Sequence, residues 1–272
     1  MKVSSRAALV RVFWLGLVMG AISAALYANN SWGSYHWART TDSFTLKLGD
    51  NVSSAWDAYL DEASADWNQS GVLDTQKVAG GTDPRKCRPK QGRVEVCNAK
   101  YGLNGWLGLA QIWVSGSHIT QAITKMNDSY FNAAPYNSPP WRRLVMCQEV
   151  GHTFGLDHQD ENFNNTNLGT CMDYTSDPDG PPSNEHPNAH DYDQLVSIYG
   201  GHLDSSTSVS QSVEGRMPPA MTDIDFEGPG QWGRLVRGSP AQGFSVYELD
   251  FGGGRKIITH VYWVRRDHQP QE

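Results

Sequence analysis

The stretch that most constrains this chain is Cys147-Gln148-Glu149-Val150-Gly151-His152-Thr153-Phe154-Gly155-Leu156-Asp157-His158, followed by Gly169-Thr170-Cys171-Met172-Asp173-Tyr174. A helix advances about 100° per residue, so side chains at 148 and 152 stand roughly 40° apart on one face, one turn apart along the axis. Two groups at that spacing can grip one ion. Glu149 stands beside the first of them, where its carboxylate can draw a proton from water at that ion instead of ligating it. Gly155 accepts positive φ without a Cβ penalty, so it can end the helix and swing His158 back toward the same point. Cys147 is five residues from His152, about 140° round the helix, and is therefore a poor first ligand.

This pattern resembles H-E-x-x-H-x-x-G-x-x-H with a later methionine turn, the signature of the metzincin-clan, matrixin-like zinc endopeptidases. Taken residue by residue, the resemblance implies that Glu149 is the general base, His152 and His158 the second and third zinc ligands, Gly155 the helix-ending glycine and Met172 the turn methionine. The first ligand departs from the pattern. Gln148 stands there, and an amide oxygen is a neutral and weaker zinc ligand than imidazole. Tyr174, two residues after Met172, falls where astacin-like and serralysin-like branches place a tyrosine that ligates zinc as a fifth ligand or stabilises the oxyanion.

The implied fold is α+β, a zincin domain with a twisted, mostly parallel sheet above the active-site helix. An edge strand in that fold borders the cleft and pairs with extended substrate; the candidates here are 107–114 and 118–126. The implied activity is zinc-dependent endopeptidase cleavage of a protein or peptide substrate. The alternative is a catalytically inactive relative that serves as a secreted binding module.

The chain has 272 residues, enough to bury one substantial core. Its net charge of -7, without a basic stripe, argues against nucleic acid as a partner. Residues 1–28 read as an export signal: Lys2, Arg6 and Arg11 precede an apolar run over 12–28 that ends in small residues such as Ala25 and Ala28. A membrane anchor over 12–28 is the alternative, although the run is short for a span and carries Gly16 and Gly20. Cleavage would leave a secreted chain without membrane contact. In an oxidising compartment the four cysteines allow three pairings. Cys87 with Cys97 is the economical hairpin staple, which leaves Cys147 to join the active-site helix to Cys171 in the methionine turn.

Along the chain, 29–39 is a polar, aromatic lead-in, 40–204 the catalytic domain, 205–222 a Ser/Pro-rich linker and 223–272 a small C-terminal β appendage. Phe44–Leu48, Val72–Leu73 and Arg93–Val96 read as strands, and 107–114 and 118–126 as two more about the bend at 115–117. Ser53–Trp67 and His190–Tyr199 carry apolar residues at helical spacing. Phe244–Phe251 and Lys256–Val264, about three glycines, form a hairpin with no catalytic pattern. His118, His186, His190 and His202 are either metal ligands or surface and capping residues. Asp157, Asp160, Glu161, Asp173, Asp177 and Asp179 make oxygen-rich loops that are either simply solvated or bind Ca2+, without EF-hand spacing.

Overall fold

The computed structural model describes residues 30–208, 221 and 228–265. The expected export signal at 1–28 and most of the expected linker lie outside them. Among the described residues no helix is long and apolar enough to cross a membrane.

The local patterns become elements at close to the expected places. Strand β1 is His36–Trp37, β2 Phe44–Asn51, β3 Leu73–Ala79, β4 Val94–Ala99, β5 Trp106–Ser115 and β6 His118–Asn127. Helix α1, Asp57–Trp67, buries Leu60, Ala63 and Trp67 along one stripe. After the single turn α2, Asp128–Phe131, comes α3, Pro139–His152, with two prolines in its first turn, where no amide partner is needed. Helix α4, Ala189–Tyr199, starts on a capping box in which the side chains of Asn188 and Asp191 satisfy each other's backbone amides.

Parallel pairing joins β2 to β3 and β4, β4 to β6, and β1 to the start of β6. Strand β5 then turns back antiparallel to β6. The expectation of a mostly parallel sheet holds for that half alone. Three further strands, β7 Arg234–Ser239, β8 Phe244–Asp250 and β9 Arg255–Trp263, continue the sheet antiparallel. The full order is β3-β2-β4-β6-β5-β9-β8-β7.

Two expectations are corrected by this order. The C-terminal strands do not form an appendage docked on the domain; β9 pairs along β5 from Trp106↔Trp263 to Ser115↔Arg255 and completes the main sheet. Neither β5 nor β6 is a free edge, because β5 lies between β6 and β9 and β6 between β4 and β5. The reason is alternation. Ile258 and Tyr262 of β9 enter the core shared with α1 and α3, while Ile257, Val261 and Trp263 join Trp106, Leu109 and Trp113 in a second core. A strand apolar on both faces is stable only inside a sheet covered on both sides.

Helix α3 packs on β5, β6 and α1, so its functional residues face the sheet. Cys87 is bonded to Cys97 and Cys147 to Cys171, each pair with Cα atoms 6.0 Å apart. The second bond ties α3 to the methionine turn. Both are compatible with an oxidising, extracellular setting.

Candidate metal centre

The last turn of α3 delivers His152. Thr153 and Phe154 continue the curl, and Gly155 then turns the chain at φ 95°, where a Cβ would run into the Tyr35 carbonyl. That reversal brings His158 back on His152: their Nε2 atoms are 3.0 Å apart and their rings nearly perpendicular, with centroids at 4.6 Å. A third imidazole meets them from β9. The His260 ring centroid lies 3.9 Å from that of His152 and 4.4 Å from that of His158. One ring nitrogen of each falls within 4.8 Å of the others.

Hydrogen bonding fixes what these rings offer. His152 Nδ1 sits 2.9 Å from the Leu156 carbonyl oxygen, which can only accept, so Nδ1 carries the proton and Nε2 presents a lone pair. Burial lowers the pKa of His152 to about 4. Burial likewise holds His158 and His260 well below the ordinary imidazole value, and the neighbouring histidines push the same way. All three are neutral near pH 7, the form that binds a metal.

Buried polar atoms without hydrogen-bond partners include His158 Nδ1, both His260 nitrogens and the Tyr174 hydroxyl at the centre, and both Glu149 oxygens and both side-chain polar atoms of Gln148 on α3. Each such atom costs about 1–3 kcal/mol. Unpartnered imidazole nitrogens beside an unpartnered hydroxyl suit a site that a group other than protein completes. Three neutral imidazoles within one ion's reach fit zinc in ligand type and number.

Glu149 is fully buried on α3, and burial raises its carboxyl pKa well above the ordinary value. It reaches the sheet at Gly108 of β5, where an added Cβ would lie 2.8 Å from Glu149 Oε1. Gly108 is two residues from Ala110, the register partner of His260. Gln148 is buried beside it, but the third imidazole comes from His260. Tyr174 packs on His158 with ring centroids 4.2 Å apart and stacks on Phe163 at 4.7 Å. Met172 is buried in the turn below; its amide donates to Thr170 Oγ1 at 3.0 Å and its carbonyl accepts from Gln159 N–H at 2.7 Å. That last bond locks the turn to the residue following His158.

Two contributors carry no motif. His260 is a lone histidine in an alternating strand, and its only sequence signal is its phase: it shares the inward face of Ile258 and Tyr262. Trp32, from the lead-in, stacks on His152 at 5.3 Å and on His260 at 5.4 Å. It is held there because its amide donates to the Gly155 carbonyl. On the outer side Arg237 of β7 donates from Nη2 to both oxygens of Asp157, at 2.5 and 2.6 Å, and lies 3.3 Å from Glu161 Oε1. These two carboxylates, which the sequence offers to calcium, thus face a guanidinium. His186 pairs with Asp66 at 2.7 Å, away from the centre.

No family model matches the sequence, and no curated protein does. Among solved structures, one titled "Structure of myroilysin" aligns over 64% of this chain and 100% of that chain, at 12% identity and a TM-score of 0.36. A likeness that slight bears on neither fold nor chemistry.

Proposed function

We propose that this chain is an exported, zinc-dependent endopeptidase in which His152, His158 and His260 hold the ion and Glu149 is the general base. The observation that supports it is the convergence of three buried, neutral imidazoles beside an unpartnered carboxylate. When bound, zinc supplies Lewis acidity, which polarises a peptide carbonyl and lowers the pKa of water. Glu149, next to a cation, returns toward the ionised form that burial alone disfavours. Its carboxylate then takes a proton from the attacking water and hands it to the leaving amine. The Tyr174 hydroxyl, which has no protein partner, donates to the developing oxyanion. His260 would supply the third imidazole, which the motif expects at the position of Gln148; an amide oxygen there would be the weaker ligand. Met172 and the Cys147–Cys171 bond keep the floor of the site rigid.

The test is Glu149→Gln in the full chain. Zinc content should be unchanged while casein hydrolysis falls by about 10²–10⁴-fold. Turnover at the parent rate would end the reading.

One observation favours a second reading. Glu149, His152, Tyr174 and His260 have 0% exposure, and β9 occupies the side of β5 where an extended substrate would add. A centre so sealed also suits a non-catalytic, metal-bound binding module. Stoichiometric zinc without cleavage of a broad peptide library would select that reading.

A further inference from the structure

A second group of histidines lies apart from the centre described above and shares no residue with it. His36 of β1, His118 at the start of β6, and His202 and Asp204 beyond α4 come from three separate stretches of chain. Backbone bonds hold those stretches together: His36 N–H donates to the Ser117 carbonyl at 3.0 Å and Asp204 N–H to the Arg39 carbonyl at 2.8 Å. His118 Nε2 lies 2.9 Å from Asp204 Oδ1, His36 Nε2 3.7 Å from the same oxygen, and His202 Nε2 3.2 Å from His36 Nε2. The His118 and His202 rings stand at 90° and 87° to His36, so the rings meet edge to face instead of stacking.

The proton positions decide what this cluster can do. His36 Nδ1 is 2.7 Å from the Ser34 carbonyl oxygen, an acceptor only, so the neutral ring carries its proton there. Its Nε2 is then a bare lone pair, on a residue 7% exposed, turned toward a carboxylate oxygen and another imidazole nitrogen. That lone pair and the carboxylate oxygen together can hold a cation, which would replace the hydrogen bonds that His202 and His118 otherwise offer them. Asp204 is oriented for that role, because its other oxygen accepts the Arg39 amide at 2.9 Å and leaves Oδ1 to the histidines. His202 is exposed, which gives an ion a way in.

We propose that His36, His118, His202 and Asp204 form a second, structural zinc site. The ligand atoms of His36, His118 and Asp204 lie within 4.8 Å of one another, and the exposed His202, with Nε2 3.2 Å from His36 Nε2, supplies the fourth donor of a closed structural set. The site pins the lead-in segment to the sheet and to the exit of α4. Trp37, adjacent to His36, donates its Nε1–H to the Thr153 carbonyl at 2.8 Å, so the pin also steadies the segment that follows α3.

The test is metal stoichiometry of the full chain, stripped by chelator and titrated with zinc, with cobalt(II) as a spectroscopic probe. The His152→Ala/His158→Ala double variant should keep one tight equivalent and give a tetrahedral cobalt spectrum. Adding His202→Ala, an exposed position that leaves the core intact, should abolish both. Asp204→Asn in the parent chain should remove one of two equivalents. If the double variant binds no metal, or if His202→Ala and Asp204→Asn leave its stoichiometry and spectrum unchanged, the cluster is an ordinary histidine–aspartate ion pair and the proposal fails. Failure here leaves the peptidase reading untouched, since Glu149→Gln tests that separately.

Discussion

At the residue scale, the chemistry turns on how three imidazoles and one carboxyl are kept uncharged. In the metal-free protein His152, His158 and His260 have pKa values below their unfolded ones, from an ordinary 6.5 to about 4 for His152. The unfolded chain therefore takes up protons that the folded chain does not, and stability falls as pH drops from about 6.5 toward 4, by up to about 1.4 kcal/mol per unit for each histidine. Glu149 acts with opposite sign. Its raised value means that unfolding releases a proton above about pH 4.5, so it offsets one histidine in that window. Melting curves of chelator-treated protein should shift steeply downward between pH 6.5 and 4.5, and His260→Ala should make that dependence shallower. A melting temperature independent of pH over that range would contradict the neutral, buried triad. His152, His158 and Glu149 were legible in the sequence because helical spacing and a glycine turn are local and periodic. His260 was not, because a lone histidine in a strand carries no local motif and only the long-range pairing of β9 with β5 gives it a role.

At the element scale, β7 to β9 form a flap whose outermost fastening is Arg237. Its guanidinium, 44% exposed at the side chain, clasps the nearly buried Asp157 and reaches Glu161. Removing it leaves Asp157 without its counter-charge at the rim of the centre, a loss of about 2–4 kcal/mol for a partly buried charge pair. Arg237→Ala should raise hydrogen exchange in 234–250 well before it affects β2 or β4, and should increase peptide turnover if the flap gates access. Unchanged exchange in that segment would show that sheet pairing alone holds the flap. The hairpin itself could be read from alternation around three glycines. Its seat could not, since the β5–β9 register joins residues well over a hundred positions apart and nothing local encodes that distance.

At the scale of the whole molecule, a composition shift near 205–222 suggests two units, yet the structure has one sheet and two cores that both span the join. Trp232, Tyr247 and Trp263 pack with Trp106, Leu109 and Trp113 from the other half of the chain. A pattern that predicts a flexible connection says nothing of whether the pieces on either side share a core. The described residues should therefore unfold in a single cooperative transition, with calorimetric and van't Hoff enthalpies in agreement. Two separated transitions, with the C-terminal strands melting first, would restore the appendage.

The stacking of Trp32 on two of the three central imidazoles has an optical consequence. An indole a few ångströms from a bound ion is a fluorophore beside a quencher whenever that ion is paramagnetic. Loading the centre with cobalt(II) should dim the protein's emission, zinc should not, and Trp32→Phe should remove most of the difference, so that occupancy can be followed in solution with no added dye.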